Sequence, residues 1–319
     1  MNSTLVTYSP AYTLVPTYEC FNRCGYCNFR ADPGQDSWLS LNQAEAILSS
    51  LQGTAVTEIL ILSGEVHPHS PRRRPWLQLL VELGQLARQR GFFPHTNAGP
   101  LTREEMAILR EVNSSMGLMV EQINGDLRVH RHAPSKKPTL RLQQLRWAGE
   151  MAIPFTTGLL LGIGESPQDR TATLRAIADL QAEYGHIQEV ILQPHSPGQS
   201  QPLDLPLFPT QELPALVAEA RQILPPEVTL QIPPNLITQD ELLLACLQAG
   251  ARDLGGIGPW DEVNPSYGHR SLQHLRRLLA TEGWSLVPRL PVYGPSLGEA
   301  VNNAVVAATS AKIGMLGQI

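Results

Sequence analysis

From residue 12 onward the chain alternates short apolar or β-branched runs with longer stretches whose apolar positions recur every three or four residues. The runs at 12–16, 58–63, 92–95, 115–120, 155–161, 189–193, 229–232 and 253–257 predict strands. Residues 155–161 are apolar almost throughout, as befits a strand covered on both faces of a parallel sheet. Helical patterns lie between the strands. One covers 76–90, with Leu79, Leu80, Leu83 and Leu86 on one face, others cover 140–151 and 271–282, and one starts near Thr210. Ser40 with Gln43, Thr102 with Glu105, and Thr238 with Glu241 are spaced to cap helix starts, where side chains meet the free N–H groups. Ser166-Pro167 opens another helix, and Gly53 and Gly283 stop two of them without a Cβ penalty.

Eight strand–helix units predict an α/β fold, a single-domain (βα)8 TIM-type barrel over 1–290, because each parallel strand needs a crossover helix. The 319-residue length suits such a barrel. The segment 291–319 is rich in Ala, Gly, Ser and Asn and forms a tail with no assignable pattern. In barrels of this kind active sites sit on the loops after the strands. The polar residues expected on that rim are the loop around Cys20, Cys24 and Cys27, then Ser63-Gly64-Glu65, His95-Thr96-Asn97, Glu121, Gly162 to Glu165, Gln193 and Asn235.

Composition narrows the class. Hydrophobic residues at 42% and charged residues at 17% supply a sizeable core. Lys+Arg 24 against Asp+Glu 29 gives −5, which argues against a nucleic-acid partner. The basic run Arg72-Arg73-Arg74 is read as a solvated loop edge. Residues 1–10 lack the pattern of a signal peptide, and no apolar run nears the roughly 18 residues of a membrane span, so a cytoplasmic protein is expected. In a reducing compartment, three of the four cysteines between 20 and 27 read as a metal site rather than disulfides.

Cys20-x3-Cys24-x2-Cys27 puts three thiolates on one loop. Iron–sulfur clusters normally take four, so three would leave one iron open to another ligand. A zinc site completed by His67 or His69 is the other reading of the same residues. Cys246, among leucines on a helix, reads as an inert core thiol, and His67, His69, His130 and His132 as surface histidines.

This cysteine spacing after a first barrel strand, with Tyr26 before the last cysteine, resembles the radical S-adenosylmethionine (SAM) superfamily. The resemblance implies a [4Fe–4S] cluster on the three cysteines and SAM as cofactor. It implies that Ser63-Gly64-Glu65 meets the methionine amino group, Arg141 its carboxylate, Glu121 the ribose, and Gly162 and Gly164 the adenine, with Tyr26 and Gln193 alongside. The strings at 93–97, 112–119, 153–158, 184–191, 233–236 and 253–257 are further similar to the 7,8-didemethyl-8-hydroxy-5-deazariboflavin synthases, over about 8–292.

That likeness implies an ammonia-releasing carbon–nitrogen lyase. It would cyclise 5-amino-5-(4-hydroxybenzyl)-6-(D-ribitylimino)-5,6-dihydrouracil, supplied by a companion radical SAM synthase subunit, to the deazaflavin chromophore of coenzyme F420. An electron donor such as ferredoxin or flavodoxin is implied, and His95, Thr96, Asn97 and Asn235 are candidates to hold the uracil or ribityl groups. Two loops depart from the family pattern, Pro194-His195-Ser196 and 258–264. A radical SAM enzyme of biotin, thiamine or menaquinone synthesis, and a non-catalytic metal-binding protein, are the other readings of the same residues.

Overall fold

The computed structural model describes residues 5–292. Eight parallel strands form the barrel: β1 (Leu5–Leu14), β2 (Glu58–Leu62), β3 (Phe93–Asn97), β4 (Ser115–Gly117), β5 (Phe155–Leu161), β6 (Ile187–Pro194), β7 (Thr229–Gln231) and β8 (Asp253–Ile257). They pair in sequence order, and β1 pairs with both β8 and β2, which closes the ring. The helices are α1 (Leu41–Ser50), α2 (Arg73–Gln89), α3 (Arg103–Arg110), α4 (Pro138–Glu150), α5 (Pro167–Tyr184), α6 (Leu213–Ile223), α7 (Asp240–Gln248) and α8 (Leu272–Ala280). The expected barrel is therefore the fold, and the tail from residue 293 lies outside the described residues.

Strand periodicity decides which side chains reach the site. On β2, Ile59 and Ile61 are fully buried in the core between sheet and helices, so Glu58, Leu60 and Leu62 point into the barrel. The same alternation turns Asn97 inward. Thr96, between inward neighbours, turns outward and donates to Asn113 Oδ1 at 2.7 Å.

Three capping boxes form, at Ser40, Thr102 and Ser166. The cap expected at Thr238 does not. Helix α7 starts two residues later at Asp240, without a side-chain cap, and Asp240 and Glu241 meet the positive end of the helix dipole instead. The arginine run is not a solvated edge either. Arg73 is buried in the first turn of α2, forks onto Glu105 at 2.7 and 2.6 Å, and lies over the Trp76 ring. Strand β4 is shorter than expected, ending at Gly117, and the chain rejoins β5 only at Glu121, which has a left-handed φ of 65° and bridges to Leu159.

A ninth strand, β9 (Ser285–Pro288), pairs in parallel with the first residues of β1, a section of β1 that the pattern did not indicate. It carries Arg289 under the barrel. The guanidinium holds Asp253 at 2.6 and 2.8 Å and Glu189 at 2.9 Å, closing the floor with a buried ionic clamp. Burial pushes the Glu189 carboxyl up to about 8, against Arg289 and with help from the Asp253 charge. A carboxyl raised above its unfolded value of 4.5 stabilises most at low pH and loses that contribution as pH rises through about 8. Glu189→Gln, which has no proton to lose, is expected to flatten the fall in unfolding free energy between about pH 5 and 8 by a few kcal/mol. Denaturant melts of the metal-free protein across that window check it, and an unchanged slope would refute it.

Candidate active site

The loop between β1 and α1 is shaped by backbone bonds rather than by its thiols. Cys20 N–H donates to Ala31 O at 3.1 Å, Phe21 N–H to Glu65 O at 3.0 Å, Arg23 N–H to His132 O at 2.8 Å, and Gly25 N–H to Val129 O at 2.8 Å. Buried Glu19 anchors the return of the loop, accepting from Gly34 N–H at 2.7 Å and Trp38 Nε1 at 3.1 Å, with Arg72 at 2.5 Å. Asn22 ties the loop to the strand ends: its Nδ2 donates to Glu65 Oε2 at 2.8 Å and its Oδ1 accepts from Ser135 N–H at 3.2 Å.

Gly64 is required by contact. A Cβ there would stand 2.2 Å from the Glu19 carbonyl oxygen and 2.7 Å from its carbon, backbone atoms one residue before Cys20. Gly64→Ala is expected to displace the cysteine loop, costing about 1–3 kcal/mol of stability. Gly268→Ala, whose Cβ would meet nothing within 4 Å, is the unaffected control. Thermal unfolding of the metal-free proteins checks this, and a Gly64→Ala protein as stable as wild type would refute it.

Cys20, Cys24 and Cys27 open on one cavity of about 220 Å³ at the carboxyl ends of the strands. Burial raises the Cys20 thiol and pushes Cys24 up to about 12, so in the metal-free protein these groups are neutral. Among the described residues no three His, Cys, Asp or Glu side chains gather on a single-ion point. His67 and His69 are exposed, so the zinc reading lacks its fourth ligand. Three unpaired thiols spread around a cavity fit a cluster, in which each thiolate takes a different iron.

The opposite wall is charged and tightly bonded. Arg141, 1% exposed, lies 3.5 Å from Glu65 and 3.7 Å from Glu121, donates to Ser135 O at 3.2 Å, and also donates to Met119 O. Glu121 accepts from Tyr26 and Lys136 and lies 3.0 Å from His130 Nε2. Burial alone would raise the Glu121 carboxyl, but Lys136, Arg141 and His130 outweigh it and hold it well below the usual range. Burial drives the Tyr26 phenol well up, so it stays a donor.

Of the residues expected at the site, Tyr26, Ser63, Gly64, Glu65, Asn97, Glu121, Arg141 and Gln193 line this cavity with the cysteines. Ser63 also accepts from Trp76 Nε1 at 2.9 Å. Gly162 and Gly164 have φ of 85° and 105°, in a loop whose Gly162 and Ile163 N–H groups donate to Glu165 at 2.8 Å each. Asn235 stands in a mouth cavity shared with Gln193 and donates to Asp261 Oδ2 at 2.9 Å. His95 lies lower in the barrel. Thr96 is not brought to the site.

Two members of the site were missed. His130 is buried rather than a surface histidine, and Lys136 sits in a one-turn helix that no periodicity marks. The spacing of Arg128, His130 and Lys136 around a Pro-rich turn was the available signal. In the first departing loop, His195 is turned away, bonded to Pro206 O at 3.2 Å and Gln201 Oε1 at 3.1 Å. It shapes the loop, while Gln193 faces the cavity. In the second, Tyr18 donates to Glu262 at 2.8 Å.

A barrel with three thiols on the loop after β1, facing a cationic wall, defines a radical SAM enzyme. Residues 14–177 match the radical SAM superfamily, and the chain belongs to it. Solved structures agree in fold: the FeFe-hydrogenase maturase HydG from Carboxydothermus hydrogenoformans superposes with a TM-score of 0.73 at 19% identity, over 97% of this chain and 77% of that one. Methylornithine synthase (PylB) gives 0.68 at 15%, over 93% and 87%.

Within the superfamily the chain belongs to the 7,8-didemethyl-8-hydroxy-5-deazariboflavin synthases. It is 62% identical to that enzyme of Nostoc sp. over 91% of this chain and 86% of the relative. The corresponding figures are 61% for Thermosynechococcus vestitus, over 92% and 94%, and 57% for Gloeobacter violaceus, over 96% and 95%.

Proposed function

We propose that the chain cyclises 5-amino-5-(4-hydroxybenzyl)-6-(D-ribitylimino)-5,6-dihydrouracil to 7,8-didemethyl-8-hydroxy-5-deazariboflavin, releasing ammonia, methionine and 5′-deoxyadenosine. The observation that carries it is the meeting of three cysteines and a buried cationic wall in one cavity, in a chain 62% identical to synthases of that name. No helix among the described residues is long and apolar enough to cross a membrane. The working compartment is the cytoplasm, where thiols stay reduced.

Cys20, Cys24 and Cys27 would hold a [4Fe–4S] cluster, which would supply the electron for reductive cleavage of SAM. Arg141 and Lys136 face the methionine carboxylate, and the backbone at Ser63-Gly64-Glu65 faces its amino group. Glu121, ionised because of its cationic neighbours, accepts from the ribose hydroxyls, while Gly162, Gly164 and Gln193 border the adenine. Phe29, Leu118, Met119 and Leu160 supply the apolar part of the wall and exclude water from the radical.

The substrate comes from a companion radical SAM synthase, and the electron from a ferredoxin or flavodoxin. Oxygen-free protein with reconstituted iron, incubated with reductant, SAM and the companion enzyme's reaction, should produce deazaflavin fluorescence together with deoxyadenosine. Deoxyadenosine without fluorescence would leave a radical SAM enzyme of another substrate.

A further inference from the structure

Below the cysteine cavity the barrel is hollow. A cavity of about 120 Å³ runs down its axis. Asn97 and Met119 line both spaces, so the two adjoin. Barrel interiors are ordinarily filled by layers of branched apolar side chains. Here the inward positions carry Glu58, His95, Glu189 and Gln231, and small residues keep the axis open. A Cβ on Gly117 would come within 2.7 Å of His95 Nε2, and one on Gly256 within 3.2 Å of the Ala11 Cβ.

These polar groups divide into two sets. Arg289, Asp253 and Glu189 satisfy one another as the floor clamp, and the Gln231 amide, turned to suit both groups, donates to Glu189 at 2.7 Å. The second set is under-used. Among the described residues only Ser9 donates to Glu58. His95 spends Nδ1 on Ser115 at 2.7 Å, and its Nε2 has no hydrogen-bond partner among the described residues. The Asn97 side-chain amide makes no hydrogen bond among them either. A carboxyl group with one side-chain donor, an imidazole nitrogen and an amide thus face the cavity with hydrogen-bonding capacity left for a ligand.

The ligand class follows from the chemistry. The one cation of the lining, Arg289, is already spent on Asp253 and Glu189, so an anion finds no free counter-charge beside Glu58, and an apolar ring leaves every polar group unmatched. Vicinal hydroxyls each donate once and accept as well, which suits an array of one strong acceptor and two groups able to do either.

We propose that this axial pocket is the subsite for a polyhydroxyl chain, the ribityl arm of the substrate, with Glu58, His95 and Asn97 as its specificity-determining residues. This rests on the deazaflavin synthase reading above. The arm points down the barrel and leaves the benzyl end beside the cysteine cavity.

The test compares two substrates on the reconstituted enzyme: the ribityl compound, and an analogue carrying methyl in place of the ribityl chain. Glu58→Gln is expected to raise KM for the ribityl substrate roughly tenfold or more with kcat little changed, and to leave KM for the methyl analogue where it was. His95→Gln, at a position outside the cysteine cavity, should give the same split, and carries the test if Glu58→Gln fails to fold. Wild-type enzyme should itself prefer the ribityl substrate. If wild-type KM is the same for both substrates, or the variants shift both equally, the subsite is wrong and the synthase reading stands. If wild-type enzyme makes deoxyadenosine yet no deazaflavin from either, the synthase reading fails and takes the subsite with it.

Discussion

Cys24→Ala is expected to lose SAM cleavage and deazaflavin formation together, by more than about a thousandfold, as happens when a group needed throughout the chemistry is removed. Cys24 is the most buried thiol of the loop, 5% exposed, and burial holds it neutral without metal. A buried thiol of this kind yields a thiolate only to a cation that compensates the charge, which is the role proposed for iron here. The loop's shape should survive, because Arg23, Gly25 and Phe21 pin it through backbone N–H groups on neighbouring segments. Metal-free Cys24→Ala should therefore melt like wild type while retaining little iron after reconstitution. Cys246→Ala, a substitution at a core thiol on α7, should cost stability and leave iron content intact. A Cys24→Ala protein that keeps both its iron and its deoxyadenosine yield would overturn the assignment.

Arg141→Met should be the most destabilising single substitution in the charged wall. The guanidinium bonds two carbonyls and stands beside two buried carboxylates, so its loss leaves Glu65 and Glu121 under-compensated. Breaking a buried ionic set in this way costs about 3–5 kcal/mol. For a domain of this size that is a fall in Tm of roughly 10 °C. Arg141→Lys should recover only part of it, because an ammonium lacks the planar fork that reaches carbonyls and carboxylates together. Lys136→Met should be milder in stability, since Arg141 and His130 still face Glu121, yet should weaken SAM binding because Lys136 borders the cavity. Thermal unfolding of the metal-free proteins separates the two effects from binding. An Arg141→Met protein as stable as wild type would show that the wall does not depend on it.

What could be read from the chain alone depended on range. Capping at Ser40, Thr102 and Ser166 is decided within four residues, and all three boxes formed. The cap at Thr238 had the same local spacing and did not form, because the helix began at Asp240, whose carboxylate is engaged by Arg270 and His274 of the following segment. Arg73 looked like a member of a solvated basic run, and only its folding against Glu105 and Trp76 made it a buried ion-pair partner. His130 was misread for the same reason. Nothing near it in sequence is acidic and buried except Glu121, and a left-handed backbone turn is needed to bring the two together.

By itself the sequence determined the barrel and the three-cysteine loop. Strand and helix periods are set by neighbours along the chain, and three cysteines within eight positions need no long-range contact to share one loop. Tertiary structure alone decided which polar side chains face inward, through strand register, and so hid the axial pocket lined by Glu58, His95 and Asn97. It also decided the floor, where β9 brings Arg289 to Asp253 and Glu189 from distant positions in the chain. Charges separated that far in sequence become partners only when burial removes water from between them, and no local pattern records that event.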